Sequence, residues 1–284
     1  MGLVANPDKP AAVPLMRRAI ELTRAAGREF ISEARCAQMV DANVPRCKGL
    51  RELAAQTDVI VVLGGDGTML GVGRSLAGAE VPILGINVGG LGFLTAASAV
   101  QLEEALSALW RNEFEIDTRS LLRAQGTASG NPYDQLALND FLISRGAASR
   151  LIELEVSVDA EPLTRYRADG LIVCTPTGST AYSLAAGGAV VSPNAQALTI
   201  TPVCPHTLSN RSVIVAMDSL IEVKNLSDRL EVILSADGQV QMQLAAGETV
   251  RIRTAEEKIR LVRLPGSSFF KTLRNKLNWS GSSI

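Results

Sequence analysis

The residues with the clearest chemical signature form the segment Gly64-Gly65-Asp66-Gly67-Thr68. The apolar residues before it, Val59 to Leu63, predict a strand buried on both faces, as in a parallel sheet. Glycines let the backbone approach a ligand closely, and Thr68 is predicted to cap a helix that ends at Gly78. A strand, a glycine turn and a helix N-terminus together predict a phosphate-binding loop.

Asp66 is the unusual residue of this loop, because a carboxylate repels phosphate. Its presence indicates chemistry, since a carboxylate can accept a proton from a hydroxyl group or hold a metal ion. A structural Asp-Gly turn is the alternative, and the motif alone leaves that alternative open. Asp66 is therefore the candidate reactive residue.

Two further polar segments follow. Asn139 and Asp140 interrupt a predicted strand, so they are either a pair that binds ribose hydroxyls or a bulge or strand end. Residues 175–183 then carry five Ser or Thr hydroxyls within nine positions. Tyr182 among them offers a flat face to a purine or pyridine ring, although a polar loop around a packed tyrosine would have the same composition. His206 is interpreted as a loop organiser rather than a base.

The composition is that of an ordinary globular protein. The chain has 284 residues, 20% charged and 46% hydrophobic, with a net charge of −1, which is enough for two domains. No basic excess indicates nucleic acid, and no stretch reaches the roughly 18 apolar residues of a membrane span. We expect neither partner. The N-terminus lacks a signal-peptide pattern and the four cysteines lack metal-binding spacing, so we expect reduced cysteines and a cytoplasmic location.

The first part of the chain alternates helix and strand patterns. This alternation predicts βαβ units and a doubly wound parallel sheet. The dinucleotide fingerprint G-x-G-x-x-G is absent, which disfavours a Rossmann dehydrogenase. The predicted elements are helices at 14–26 and 50–56, strands at 59–63 and 81–87, a glycine turn at 89–93, and a helix from the capping box Ser98/Gln101 to about Arg111.

The pattern changes from residue 118, where period-two segments predict a second, antiparallel β domain. Turns are predicted at Asn131-Pro132 and Asp237-Gly238. A final helix at 269–279 is expected to pack back on the first domain. The predicted domains are therefore 1–117 with 265–284, and 118–264. The predicted strands of the second are 120–125, 136–144, 151–158, 163–174, 197–202, 220–223, 230–234, 239–244, 249–253 and 258–264.

These segments, in this order, resemble the bacterial NAD kinase family over nearly the full length. The Gly64–Thr68 loop is shared with diacylglycerol-type lipid kinases, whereas Asp169-Gly170 through Gly187-Gly188, followed by Pro202 to Arg211, is typical of NAD kinases. Residues 91–94 and 270–279 extend the match. The resemblance implies an α/β N-terminal domain, a β-sandwich C-terminal substrate domain and a homodimer or homotetramer. It also implies transfer of the γ-phosphoryl group of ATP to the 2′-hydroxyl of the adenosine ribose of NAD, with a divalent cation such as Mg²⁺.

The resemblance further implies roles for single residues. Asp66 corresponds to the catalytic base, and Gly67 and Phe93 line the same pocket. Asn139 and Asp140 match the pair that holds the ribose and neighbouring groups of NAD. The other implied contact positions are Arg150, Arg167, Asp169, Thr180, Ala181, Tyr182, Ser183, Leu184, Ala185 and Gln239. An arginine at position 167 goes with selectivity for NAD over NADH.

The sequence leaves two alternatives to an NAD kinase open. A lipid kinase would share the glycine loop, but no hydrophobic lid or membrane-surface helix is evident. A non-catalytic dinucleotide-binding regulator would keep the pocket, but it would have no need of Asp66. The P-loop pattern G-x-x-x-x-G-K-[ST] is absent, so ATP must be held in another way. The sequence leaves open whether ATP or polyphosphate is the donor.

Overall fold

The computed structural model describes residues 1–40, 43–90, 92–147, 150–206 and 211–279. The chain divides into two compact units: unit 1 contains Met1–Thr118 and Lys258–Ile284, and unit 2 contains Arg119–Glu257. Segment 258–264, predicted as part of the second domain, clusters with unit 1, where Leu261 pairs with Ile83. Parts of two predicted motifs, Leu91 and residues 207–210, lie outside the described residues.

The helices and strands are numbered in chain order. The helices are α1 (Ala12–Ala25), α2 (Ala34–Gln38), α3 (Leu50–Ala55), α4 (Asp66–Ser75), α5 (Leu102–Trp110), α6 (Tyr182–Ala185) and α7 (Phe269–Leu277). The strands are β1 (Gly2–Ala5), β2 (Ile31–Glu33), β3 (Arg46–Cys47), β4 (Ile60–Gly64), β5 (Ile83–Asn87), β6 (Ala97–Ser98), β7 (Glu115–Ala128), β8 (Asn131–Ala137), β9 (Asp140–Arg145), β10 (Ile152–Val158), β11 (Glu161–Ala168), β12 (Gly170–Cys174), β13 (Ala197–Val203), β14 (Val213–Ala216), β15 (Ile221–Asn225), β16 (Val232–Ala236), β17 (Val240–Leu244) and β18 (Thr249–Arg263).

Unit 1 contains a parallel sheet in the order β3-β2-β1-β4-β5. The strands β1, β4 and β5 are buried along their whole length, as their runs of apolar residues predict. The strand order reverses between β1 and β4. In open α/β sheets, ligands bind beside the carboxyl ends of the strands at such a switch point. The predicted α/β domain is confirmed, and its topology directs attention to the loops after β1 and β4.

Most predicted helices of unit 1 are confirmed, since α1, α3 and α5 lie close to their predicted bounds. The capping box is also present, with Ser98 N donating to Gln101 Oε1 at 3.1 Å. The predicted helix cap at Thr68 is wrong, because α4 begins at Asp66 with Gly65 as its cap. The Thr68 hydroxyl instead accepts a hydrogen bond from Asn6 Nδ2 at 3.1 Å.

The C-terminal helix α7 belongs to unit 1, as predicted. Leu273 is buried, and the Phe269 ring lies 6.2 Å from the ring of Phe93 between centroids. The apolar side of α7 therefore packs against the first unit. Within the described ranges, no helix has the length and apolar character needed to cross a membrane.

Unit 2 contains two layers of antiparallel strands. One layer is a six-stranded sheet in the order β14-β13-β12-β9-β16-β17. The other is formed by β11, β10, β15 and the first part of β18, with β7 and β8. Apolar side chains of both layers, such as Phe141 and Leu171 from the first and Leu154 and Val223 from the second, share one core. The expected β-sandwich is confirmed.

Two predicted strands of unit 2 are divided where the chain passes from one layer to the other. Segment 136–144 is divided into β8 and β9, and segment 163–174 is divided at Asp169 into β11 and β12. Two segments predicted as separate strands, 249–253 and 258–264, are joined in the single strand β18, which ends at Arg263. The edge strand β14 was not predicted. These differences matter for function, because both divisions fall at candidate site residues.

One predicted turn is wrong and one is confirmed. The β7–β8 turn is formed by Ser129 and Gly130, with φ angles of 50° and 81°, whereas Asn131 already pairs with Ala128. The turn at Asp237-Gly238 joins β16 to β17 with φ angles of 50° and 66°. Asp and Gly tolerate this left-handed conformation, so the hairpin prediction succeeded on local chemistry.

Candidate active site

The glycine turn lies in unit 1 at the carboxyl end of β4. Gly65 caps α4, and its carbonyl oxygen accepts hydrogen bonds from Thr68 N and Met69 N at 3.0 and 3.1 Å. A Cβ at Gly64 would overlap the Thr68 side chain, so this position accepts only glycine. The turn is therefore tight enough to place Asp66 in the first turn of the helix, next to exposed Gly67.

Asp66 holds a second loop, the one that follows β5. Its Oδ2 accepts a hydrogen bond from Phe93 N at 2.9 Å, and its Oδ1 accepts one from Leu94 N at 3.1 Å. A Cβ at Gly92 would overlap the same carboxylate, which explains the glycine there. Carboxylate oxygens each have further lone pairs, and the side chain is only half-buried, so Asp66 can still accept from a hydroxyl group. The structure brings Asp66, Gly67 and Phe93 together.

Asn87 and Thr95 complete this pair of loops and were not identified from the sequence. Both are buried. Thr95 Oγ1 accepts a hydrogen bond from Gly92 N at 3.0 Å, and Asn87 Oδ1 accepts one from Gly89 N at 2.9 Å. These bonds fix the path of the loop that contacts Asp66. Asn87 could have been identified from the sequence, because it is a polar residue at the carboxyl end of the buried strand β5.

In unit 2, Asn139 and Asp140 lie at the transition from β8 to β9. The Asp237 carboxylate accepts three backbone hydrogen bonds there, from Leu138 N at 3.0 Å, Asn139 N at 2.7 Å and Asp140 N at 3.2 Å. Asp237 is the turn residue of the β16–β17 hairpin, whose site role the sequence did not indicate. The strand-end interpretation of Asn139-Asp140 is therefore correct, and it is compatible with the binding role.

Asp140 is only 6% exposed. Burial raises the pKa of its carboxyl group to about 7, and the neighbouring charge of Asp237 adds to the shift. Because water is largely excluded, the charged form of Asp140 is disfavoured near neutral pH. A ligand hydroxyl or amide that donates a hydrogen bond would stabilise that charged form.

The hydroxyl-rich segment folds directly onto Asn139. Thr175 N donates to Asn139 O at 2.9 Å, and Thr175 Oγ1 donates to Leu138 O at 2.7 Å. Gly178 accommodates the same contact, because a Cβ there would overlap the Asn139 backbone. Arg119 extends the cluster, since its buried guanidinium donates to Thr177 Oγ1 at 3.1 Å. The structure thus brings residues 138–139 into contact with residues 175–178, which are some 35 residues away in sequence.

Thr180 is the last residue of a short 3₁₀ helix, Thr177–Thr180, and α6 begins two residues later. Ser183 is buried and its Oγ lies 3.0 Å from Thr201 Oγ1, so this hydroxyl is used inside the fold. Tyr182 is 47% exposed and presents its ring to solvent. Thr180, Ala181 and Leu184 are half-buried and Ala185 is exposed, so the surface of this segment remains accessible.

The remaining predicted contact residues are more dispersed. Asp169 Oδ1 accepts a hydrogen bond from Arg145 Nε at 2.6 Å in a partly buried ion pair, and Arg145 was not identified from the sequence. Arg150 and Arg167 are exposed. Gln239 is exposed directly after the hairpin turn of Asp237. His206 N donates to Arg167 O at 2.9 Å, which is a backbone contact consistent with a loop-organising position.

Comparisons with known proteins identify the family of the chain. The ATP-NAD kinase N-terminal domain family matches residues 1–114, and the ATP-NAD kinase C-terminal domain family matches residues 138–264. The chain is 42% identical over 281 residues to the NAD kinase of Syntrophotalea carbinolica, covering 98% of each chain. It is 40% identical over 285 residues to the NAD kinase of Symbiobacterium thermophilum, covering 98% of each.

Solved structures of related enzymes have the same fold. The crystal structure of yeast NADH kinase complexed with NADH matches with a TM-score of 0.87 and 28% identity, over 100% of this chain and 88% of that one. An NAD kinase from Archaeoglobus fulgidus in complex with ATP matches with a TM-score of 0.78 and 28% identity, over 99% of each chain. The chain belongs to the ATP-NAD kinase family.

Proposed function

We propose that this protein is an NAD kinase. The 2′-oxygen of the adenosine ribose of NAD forms a bond to the γ-phosphorus of ATP, and the bond from that phosphorus to the β–γ bridging oxygen breaks. ADP leaves, and the hydroxyl proton passes to the Asp66 carboxylate. The observation that carries the proposal is the placement of Asp66 at the start of α4, held by two backbone amides in a glycine turn.

Positioning is the main task of the protein in phosphoryl transfer. We propose that unit 1, with Asp66, Gly67 and Phe93, forms the reaction site. Unit 2 is then the NAD-binding domain, in which Asn139 and Asp140 bind the ribose and its neighbouring groups. The other proposed contact residues are Arg150, Arg167, Asp169, Thr180, Ala181, Tyr182, Ser183, Leu184, Ala185 and Gln239. The contacts of Thr175 and Gly178 with Asn139 support this grouping within unit 2.

A divalent cation, Mg²⁺, is part of the proposal. Among the described residues, no group of three or more His, Cys, Asp or Glu side chains could hold a metal ion. The donor set nevertheless fits Mg²⁺, which usually binds substrate phosphates and only one or two protein carboxylates. Asp66 is the carboxylate in the glycine turn that would reach it. The ion would neutralise charge on the triphosphate.

One assay tests this function: the purified protein is incubated with NAD, Mg²⁺ and either ATP or inorganic polyphosphate, and NADP is measured enzymatically. We expect NADP with ATP. Tight NAD binding without NADP from any donor would favour the dinucleotide-binding regulator. Phosphorylation of diacylglycerol in the same buffer would favour the lipid kinase.

We further propose that NAD is preferred to NADH, on the basis of the arginine at position 167. The ratio of kcat/KM for the two dinucleotides measures this, and equal values would contradict it.

We also propose a cytoplasmic homodimer or homotetramer. The four cysteines are free, which agrees with a reducing compartment. Light scattering coupled to gel filtration gives the subunit number directly.

A further inference from the structure

The loop that follows β1 is tied to the glycine turn that follows β4. Asn6 N donates to Leu63 O at 3.0 Å, and Asn6 Nδ2 donates to Thr68 Oγ1 at 3.1 Å. Lys9 N donates to Asn6 O at 3.2 Å, and Ala12 N donates to Lys9 O at 2.8 Å. The backbone of Lys9 is therefore fixed between β1 and α1. This places it beside the switch point of the parallel sheet, where ligands bind in folds of this kind.

The ammonium group of Lys9 reaches Gly65 itself. A Cβ built on Gly65 would lie 3.1 Å from Lys9 Nζ, and the next nearest atom, Asn87 Oδ1, would be 3.9 Å away. The backbone of Gly65 is extended, with φ −118° and ψ −172°, so its conformation does not require glycine. Gly65 is buried, and the missing side chain instead leaves room for the Lys9 ammonium, which is the group nearest to the position a Cβ would take. Lys9 is exposed, and its Nζ makes no ion pair with the described residues.

The charges of the loop explain why a fixed positive charge is useful here in addition to the proposed Mg²⁺ ion. A phosphoryl group that reaches Asp66 approaches a carboxylate, and the two negative charges repel each other. Asp66 directs its oxygens to the amides of Phe93 and Leu94. The chain has no P-loop, in which a lysine would contact the terminal phosphates. A lysine ammonium is a compact charge with three donors, which suits a phosphate oxygen.

We infer that Lys9 binds the phosphoryl donor, with its ammonium donating to an oxygen of the terminal phosphates of the triphosphate beside Gly65. This inference rests on the proposed function. Lys9 keeps its proton throughout, because Asp66 receives the proton of the 2′-hydroxyl. The lysine offsets the negative charge of the donor near the Asp66 carboxylate, and in this chain it takes the part that a P-loop lysine has elsewhere.

The test compares Lys9→Met, which keeps the length and removes the charge, with Lys9→Arg and with Lys48→Met as a control. Lys48 is an exposed lysine elsewhere in unit 1. Calorimetry measures the binding of the Mg²⁺ complex of β,γ-imido-ATP and, separately, of NAD. We expect Lys9→Met to raise the Kd of the ATP analogue about 10- to 100-fold, the range for one charged hydrogen bond. The Kd of NAD and both values in Lys48→Met should stay within about twofold of the wild type.

A second readout isolates the charge itself. The Kd of the analogue should rise with salt more steeply in the wild type and in Lys9→Arg than in Lys9→Met, because salt screens exposed charges. An unchanged Kd of the analogue in folded Lys9→Met would overturn the inference. Weakened NAD binding alone would assign the lysine to the dinucleotide and would overturn it as well. Failure of the wild type to form NADP is a separate result that contradicts the proposed function, since these binding measurements need no turnover.

Discussion

Each unit has a carboxylate that holds a neighbouring loop by accepting backbone hydrogen bonds, but the two units use this carboxylate differently. In unit 1, Asp66 accepts hydrogen bonds from two backbone amides and is also the proposed base. In unit 2, Asp237 accepts three such bonds, while the proposed ligand-binding carboxylate is its neighbour Asp140. One carboxylate therefore does both tasks in unit 1, whereas two carboxylates divide them in unit 2.

The exposure of the carboxylates accounts for the difference. Asp66 is half-buried and can meet a hydroxyl group while it holds the neighbouring loop. Asp140 is buried, so its charge depends on a ligand that donates hydrogen bonds to it. This difference in exposure is what the proposed function requires, with the reaction at Asp66 in unit 1 and NAD recognition at Asp140 in unit 2.

Of the three substitutions that test this difference between the units, Gly92→Ala should have the largest effect, which is a fall in kcat. The added methyl group overlaps the Asp66 carboxylate, so the carboxylate or residues 92–94 must move. Displacing a general base removes a contribution of about 10²–10⁴-fold, and we expect kcat to fall by about that factor. Steady-state kinetics with saturating NAD and ATP measures the change.

Gly90→Ala is the matched control, because within the described part of the chain no atom outside its sequence neighbours lies within 4 Å of a Cβ at that position. It should keep kcat within about twofold. If Gly92→Ala retained the wild-type kcat, the contact between Asp66 and the 92–94 loop would be irrelevant to catalysis.

Asp140→Asn should change how stability depends on pH. The pKa of Asp140 is raised from 3.8 to about 7 in the folded protein, so its stabilising contribution is present below pH 3.8 and is lost as the pH rises through 7. The amide does not titrate, so the variant should gain stability relative to the wild type as the pH rises. We expect a gain of about 2–4 kcal/mol between pH 4 and pH 8, at about 1.4 kcal/mol per unit of pKa shift.

Urea unfolding at several pH values without ligand gives this difference. Asp228→Asn, at an exposed position, serves as the control and should follow the wild type. A constant difference between Asp140→Asn and the wild type across the pH range would show that Asp140 ionises normally.

Asp237→Asn should have the smallest effect of the three. Asparagine tolerates the positive φ of this turn, but one amide oxygen cannot replace two carboxylate oxygens for three amides. We expect a loss of about 1–3 kcal/mol in the free energy of unfolding and a weaker affinity for NAD. Chemical unfolding and calorimetry measure the two effects. Full NAD affinity in this variant would mean that the position of Asn139 and Asp140 does not depend on Asp237.

The sequence predicted the site best where the chemistry is local. The strand before Asp66, the glycine turn and the hairpin at Asp237-Gly238 all follow from residues within one short segment. The cap at Thr68 was wrong, because its hydroxyl pairs with Asn6, which lies 62 positions away. A local pattern cannot register a competing partner that only the tertiary fold supplies.

The residues that sequence reasoning missed act over long separations. Asp237 holds the amides of residues 138–140 across about 97 to 99 positions, and Arg145 pairs with Asp169 across 24. The divided strands follow the same principle, because only the sheet pairing shows where the chain changes layers. The family resemblance identified the candidate residues, and the structure identified the residues that hold them in position.

Two measurements on Asp66→Asn show whether Asp66 is the base: the single-turnover rate of NADP formation and the affinity for NAD. Asparagine keeps the size and one acceptor oxygen of the side chain but removes the proton acceptor. We predict a rate at least about 10²-fold below that of the wild type, with NAD affinity nearly unchanged. A rate within about threefold of the wild type would contradict the assignment and place the base elsewhere.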